Sequence, residues 1–267
     1  MRVGLVFGGR SVEHRVSVTS ARTVARGLAE AGHEVVPLAV AQDGCWLPPE
    51  AGRAALEGRL DALEPLGRPI RSTLGVLVDS PVDAVFPIIH GTWGEDGTLQ
   101  GLFEMLDLPY VGCGVTASAL AMDKLAAKRV LSAAGVPVVP YRAFRRQEVE
   151  ADTEGCLAAC EALGWPLFVK PSVGGSSVGV AKVPDRSELA EALAFALRFD
   201  DTVLVEQGIS GRELECAVLG GRPLEASAVG EIVPGNEFYD YADKYLEDGA
   251  ELLAPAPLEP AVAARLA

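Results

Sequence analysis

The sequence predicts a chain of mixed class, α/β followed by α+β: a doubly wound parallel sheet at the amino terminus, then an antiparallel unit of strands and helices. Three observations carry this. Residues 3–7 form an apolar run broken by Gly8-Gly9, then come a helical pattern and a second apolar run, a βαβ opening whose right-handed crossover makes the two strands parallel. Residues 166–171 and 178–183 are strand-like runs joined by a Gly/Ser loop too short for a crossover, so they pair antiparallel. From residue 152 the order becomes helix, strand, loop, strand, helix, strand, which no longer alternates as a parallel sheet does.

Taken in order, a buried strand over 3–7 leads to a helix opening near Ser11, with Val12, Val16, Val24 and Leu28 facing inward and Gly32 past its end. Residues 34–40 return as the second strand, and the Pro/Gly-punctuated stretch 41–72 is assigned no element. A third buried strand over 82–89 delivers His90-Gly91-Thr92-Trp93-Gly94-Glu95-Asp96-Gly97 at its carboxyl end, where open α/β sheets place their sites, and a helix follows from Thr98. A helix over 123–134 stops at Gly135 ahead of a strand over 136–144. Beyond the antiparallel pair lie a helix over 185–199 and a strand over 202–206. The units expected are therefore 1–117, 118–206 and 207–267. The last segment has Pro260 in the first turn of a helix and Val262 and Leu266 one turn apart, with no stop residue. A chain ending inside a helix is expected, and a third unit of about 60 residues is small for an independent core.

With 267 residues, 49% of them hydrophobic and 22% charged, the chain is apolar enough to fold throughout and long enough for two or three compact units. Its 37 acidic and 23 basic residues give a formal charge of -14, which repels a polyphosphate backbone and an anionic bilayer, so neither nucleic acid nor membrane is an expected partner. The first apolar run is too short for a signal peptide, which places the chain in the cytoplasm. Cys45, Cys113, Cys156, Cys160 and Cys216 form an odd set without CxxC spacing, which reads as buried free thiols rather than a metal site.

The chemistry-bearing stretch is Lys170-Pro171-Ser172-Val173-Gly174-Gly175-Ser176-Ser177-Val178-Gly179, a lysine at a strand end followed by a loop rich in backbone N–H and hydroxyl donors. Such a loop wraps phosphates: glycine admits close backbone approach, while lysine and hydroxyls supply charge and donors. It is not a Walker A loop, because no GKS or GKT follows the glycines, and on its own it reads more readily as a Gly-rich hairpin turn. Lys124 alone would be a solvated helix lysine. The ordered combination of Lys124, Lys170, the loop, and then Glu206 and Glu213 around a strand end is more telling than any one of them. Glu13, in the first turn of a helix, is a carboxylate that the macrodipole stabilises and that can hold an ammonium group. His90 reads either as a structural histidine or as a site residue. Residues 235–245 interleave aromatics with charges, as a mobile Ω-loop lid does.

In this order the segments resemble the ATP-grasp superfamily and, within it, the D-alanine:D-alanine ligases. The matching stretches are Gly8 to Ser17, His90 to Gly101, Met122-Asp123-Lys124, Lys170 to Gly179, Glu206 to Glu213 and Glu237 to Tyr245. The resemblance implies an ATP-grasp unit of two antiparallel α+β domains, the last one truncated, with ATP between their sheets. It puts Lys124 and Lys170 on the phosphates under the Ser176 and Ser177 loop, Glu206 on the exocyclic amine of adenine and Glu213 on the ribose. It gives Glu13 the ammonium of the first D-alanine, in a hydrogen-bonded triad with Ser176 and Tyr245. His90 becomes a substrate-positioning residue, and Lys244 reaches the transferred phosphate from the lid. A tyrosine at 245 points to D-alanine as the second substrate.

The reaction so implied is ATP-dependent ligation of two D-alanines through an acyl phosphate, for peptidoglycan precursor and cell wall synthesis, by a homodimer. Mg2+ or Mn2+ would assist, with ligands expected beyond residue 267 and no metal-binding residue within the chain. On that ground the 267-residue chain alone is expected to have no appreciable activity. Two alternatives stay open, a truncated nucleotide-binding remnant without catalysis and a D-alanine:D-lactate ligase.

Overall fold

Residues 3–7 supply the apolar alternation of a strand buried on both faces, and in the computed structural model, which describes residues 1–221, 223–235 and 250–267, this strand is the centre of the first sheet. β1 (Arg2–Gly8) pairs in parallel with β2 (Glu34–Val40) on one side and β3 (Ala84–Pro87) on the other, giving the order β2-β1-β3. Because side chains alternate across a strand, Leu5 and Phe7 enter one core while Val6 enters another. The first core is closed by α1 (His14–Glu30) and α2 (Pro49–Leu56), the second by α3 (Gly75–Val78) and α4 (Thr98–Met105). Helices on both faces are what a doubly wound sheet requires, as expected.

α1 begins at His14 rather than near Ser11, because residues 9–13 are used by the turn that leaves β1. Its inward stripe is accordingly His14, Ser17, Val18 and Ala21, with Val24 and Ala25 partly buried beside them, whereas Val12 is exposed. His14 and Ser17 are tolerated in the core because each satisfies backbone groups there. Leu63 N–H donates to His14 Nε2 at 2.9 Å, so Nδ1 carries the proton and donates to the Gly9 carbonyl at 2.6 Å. Ser17 Oγ accepts from Gly8 N–H at 2.8 Å and donates to the Ile88 carbonyl at 2.6 Å, tying β1 to the end of β3.

After α5 (Val115–Met122) and α6 (Lys124–Ala133) the chain enters a four-stranded antiparallel sheet ordered β4-β7-β5-β6. Its strands are β4 (Tyr141–Arg145), β5 (Leu167–Pro171), β6 (Ala181–Val183) and β7 (Thr202–Gln207). β4 starts five residues later than the sequence pattern indicates, since Pro137 and Pro140 lack the N–H a ladder needs. β6 starts three residues later, with residues 178–180 remaining in the loop. α7 (Arg146–Ala151), α8 (Thr153–Glu161) and α9 (Arg186–Ala196) cover one face around Leu167, Val169, Leu189, Leu193, Val203 and Val205.

The remaining strands are short. β8 (Glu213–Glu215), β11 (Gly230–Val233) and β12 (Glu251–Leu253) form an antiparallel sheet ordered β12-β11-β8, beside the two-stranded pair β9 (Val218–Leu219) and β10 (Glu225–Ala226). A helix over Pro260–Leu266 follows, with proline in its first turn as the sequence indicates. All five cysteines are free thiols, but only Cys45, Cys156 and Cys160 are buried; Cys113 is exposed and Cys216 half-buried. Burial, with Cys156 alongside, pushes the Cys160 thiol up to about 11, which keeps it protonated and inert. No helix among the described residues is long and apolar enough to cross a membrane.

Candidate nucleotide and amino-acid site

The loop between β5 and β6 is anchored before it reaches the cleft. Asp123 caps α6, accepting from Leu125 N–H at 2.9 Å and Ala126 N–H at 3.1 Å, and the same carboxylate accepts from Ser172 Oγ at 2.5 Å. Burial works against the charged form of Asp123, but the Ser172 hydroxyl and the two helix N–H groups outweigh it and hold the carboxyl below its ordinary range. Lys124 N–H donates to the Ser172 carbonyl at 2.9 Å, and Asp200 accepts from Val173 N–H at 2.8 Å. The base of the Gly/Ser loop is thus fixed to α6 and β7, while Gly174, Ser176 and Ser177 beyond it take positive φ of 131°, 49° and 58°. Non-glycine residues in that region cost of order 1 kcal/mol or more each and concentrate where a loop wraps a ligand.

The loop roofs a cleft of about 910 Å³. Lys124, Lys170, Ser176, Ser177, Glu206 and Glu213 all line it, so every described residue expected on the nucleotide is brought to one place. Val139, Phe168 and Val180 give it an apolar wall, and Gln207, the last residue of β7, and Gly208 to Gly211, which lead on to β8, line its edge. Lys124 Nζ donates to the Gly174 carbonyl at 2.7 Å; burial and the like charge of Lys170 lower its pKa. Lys170 Nζ donates to Glu206 Oε2 at 2.6 Å. Burial tends to raise the Glu206 pKa, yet the charge of Lys170 and hydrogen bonds from Lys170 and Lys128 prevail and hold it below 4.5.

That shift has a sign. A carboxylate whose folded pKa is depressed contributes stability above its ordinary value, and loses it as pH falls through the lowered folded value. Denaturant midpoints followed between about pH 6 and pH 3 are expected to fall more steeply for the parent chain than for Glu206→Gln, which has no proton to gain. Parallel pH profiles would show that the fold leaves the Glu206 carboxyl at its ordinary pKa.

The second part of the site lies against the parallel sheet. Glu13, the residue preceding α1, is buried at 6% exposure, and its Oε1 accepts a short hydrogen bond from Ser176 Oγ of the Gly/Ser loop. It sits at the cap position rather than within the first turn. Gly91, at φ 73°, is closely packed against it, since a Cβ there would lie 2.6 Å from Glu13 Oε2. Ser11 Oγ donates to the His90 carbonyl at 2.7 Å, closing this corner, but the His90 ring turns to Ser20 Oγ at 3.2 Å. Lys244 and Tyr245 lie outside the described residues. Among residues that sequence reading passed over, Asp123 and Ser172 hold the loop and Lys128 pairs with Glu206 at 3.0 Å; the i to i+4 spacing of Lys124 and Lys128 is the signal that places both on one helix face.

A parallel α/β unit followed by antiparallel sheets, with a lysine-lined cleft under a Gly/Ser loop, defines the ATP-grasp class of ATP-dependent ligases. Residues 2–113 match the family described as D-ala D-ala ligase N-terminus and residues 130–267 the one described as D-ala D-ala ligase C-terminus. The chain is 42% identical over 281 residues to the D-alanine–D-alanine ligase of Acetivibrio thermocellus, covering 96% of this chain and 75% of that protein. It is 44% identical over 277 residues to that of a Synechococcus species, covering 100% and 78%. Among solved structures, the VanG D-Ala:D-Ser ligase of Enterococcus faecalis superposes with a TM-score of 0.78 at 34% identity, over 99% of this chain and 79% of that one. The D-alanine-D-alanine ligase of Coxiella burnetii gives 0.72 at 35%, over 86% and 70%. The chain belongs to the D-alanine–D-alanine ligase family.

Proposed function

We propose that the cleft binds ATP and that the Glu13 corner binds the first of two D-alanines, which the enzyme joins to D-alanyl-D-alanine in the cytoplasm, as a homodimer built from units 1–117, 118–206 and 207–267. The observation that carries this is the Glu13–Ser176 hydrogen bond, which spans 163 residues and joins a carboxylate at the start of α1 to the loop roofing the cleft. An amino-acid ammonium held by Glu13 would thereby bring its own carboxylate toward the end of a phosphate chain.

The first D-alanine carboxylate oxygen attacks the γ-phosphorus of ATP, and the bond to ADP breaks. The second D-alanine's amine then attacks the acyl phosphate carbonyl, losing a proton as inorganic phosphate departs. Lys124 and Lys170 offset phosphate charge, Ser176 and Ser177 donate to phosphate oxygens, and a closed loop keeps water from the acyl phosphate. Lys244 and Tyr245 are assigned by family resemblance to the transferred phosphate and to the triad with Glu13 and Ser176, and His90 to substrate positioning through its backbone corner. Glu206 and Glu213 take the adenine amine and the ribose.

The family uses ATP and Mg2+. Among the described residues no three acidic, histidine or cysteine side chains are grouped to hold a metal ion, so the described residues do not fit that role. The chain spans about three quarters of the length of the relatives it matches, and we assign the metal ligands to the part of the family's length that it does not cover. The test is phosphate release from ATP and Mg2+, with and without D-alanine, by this chain and by one extended through the downstream reading frame. D-alanine-dependent release by the extended chain is the expected result, and no release by either would overturn the reading. Offering D-serine and D-lactate in the same assay settles the acceptor, D-serine being included because of the likeness to a D-Ala:D-Ser ligase.

A further inference from the structure

Glu206 is gripped from two sides. Lys170 Nζ donates to Oε2 at 2.6 Å and Lys128 Nζ lies 3.0 Å from Oε1, with the three side chains only 10 to 20% exposed. Lys128 is itself held in place: its Nζ stands 5.3 Å from the centroid of the Tyr141 ring and 3.4 Å from the Val139 carbonyl. Tyr141 lies directly opposite Glu206 in the β4–β7 ladder, and Val139 lines the cleft. Lys128 does not line the cleft, whereas Lys170 and Glu206 do.

A carboxylate has about four lone-pair directions, so two lysines leave Glu206 able to accept one or two further N–H groups, in a plane that the lysines fix. With Lys128 removed, nothing else described would restrain Oε1, and the carboxylate would turn wholly toward Lys170. Two effects follow from electrostatics alone. Glu206 would lose its orientation toward the cleft, and Lys170 would lose part of the positive charge it can present to a phosphate.

We propose that Lys128 is a positioning residue for nucleobase selection: by sharing the Glu206 carboxylate with Lys170 it holds that carboxylate ready to accept the 6-amino group of adenine. The inference rests on the ATP reading of the cleft and assigns to a residue outside it the preference for a 6-amino over a 6-oxo purine. A buried acceptor placed for an N–H group rejects an analogue presenting a carbonyl there, because like partial charges meet and the acceptor is left unpaired.

The experiment is calorimetric titration of the purified chain with ATP and with ITP, whose base carries oxygen in place of the 6-amino group. The parent chain is expected to bind ATP more tightly than ITP. Lys128→Met is expected to weaken ATP about tenfold and ITP less, so that the ATP to ITP ratio shrinks, while Lys128→Arg, which keeps the ion pair, restores most of it. Equal losses for both nucleotides, or an unchanged ratio in Lys128→Met, would overturn the proposal and leave the ATP reading standing. If the parent chain bound neither nucleotide, the reading beneath would fail and the proposal with it. Should Lys128→Met not fold, Lys128→Gln and Tyr141→Leu, which removes the ring beneath Lys128, carry the same comparison.

Discussion

Replacing Glu13 with Gln is expected to raise the KM for D-alanine about a hundredfold, with little change in ATP binding. Gln keeps the shape of the side chain, so the close approach of Gly91 and Gly175 to its outer oxygen is preserved. What changes is charge and hydrogen-bond polarity. Glu13 is nearly inaccessible to solvent, so an ammonium bound there exchanges water for a fixed anion in a low-dielectric corner. Removing the charged partner of a buried pair costs about 3 to 5 kcal/mol, which sets the hundredfold scale at its lower end. A Gln amide that offers its oxygen to the ammonium turns its N–H2 toward Ser176, so the Ser176 hydrogen bond reverses direction and the ammonium keeps only a neutral acceptor. The measurement is D-alanine-dependent phosphate release by the chain extended through the downstream reading frame, with and without the substitution, across a wide D-alanine range, beside a separate ATP titration. An unchanged KM would remove Glu13 from the amino-acid site, and an equal loss in ATP affinity would mean that it serves the loop rather than the substrate.

The parts of this site that were legible in the sequence are those fixed by local chemistry. Gly8-Gly9 after an apolar run, Lys170 at a strand end and the Gly174 to Ser177 loop announce themselves because backbone conformation and donor density are written in consecutive residues. Long-range pairing is not so written. Lys128 reads as one more helix lysine until β7 brings Glu206 beside it, and Ser172 as one more loop serine until it meets Asp123. Periodicity failed at the start of α1 for a related reason. An apolar residue at 12 fits the helical stripe, but the turn leaving β1 uses residues up to 13, and the positions that enter the core are then His14 and Ser17, which a hydrophobic count passes over. Their burial is explained only by the carbonyls and N–H groups of Gly8, Gly9, Leu63 and Ile88, which lie on other elements. In the same way Pro137 and Pro140 shorten β4 although the residues around them alternate well.

Gly8→Ala is expected to lower the stability of the parallel-sheet unit by about 3 to 6 kcal/mol, from two costs that add. Gly8 has φ of 94°, a conformation an alanine adopts at roughly 1 to 3 kcal/mol. A Cβ there would also overlap the Val40 carbonyl oxygen and approach Leu63 Cδ1 at 2.9 Å. That carbonyl accepts Gly9 N–H at 2.8 Å and belongs to β2, so it cannot give way without opening the sheet. The loss is a large fraction of the 5 to 15 kcal/mol typical of a domain. Gly27→Ala, in the same helix-turn unit, is the matched contrast: nothing lies within 4 Å of its Cβ and it stands inside α1, so alanine is expected to stabilise by about 0.5 to 1 kcal/mol. Urea unfolding followed by the fluorescence of Trp46, which is buried in this unit, distinguishes them. The effect should reach the chemistry as well, because His14 and Glu13 follow the Gly8-Gly9 turn and a displaced turn moves the start of α1. A Gly8→Ala chain with parental stability would mean that the turn relaxes freely; one that is destabilised but retains full D-alanine affinity would mean that Glu13 is placed by Ser176 and Gly91 rather than by the strand it follows.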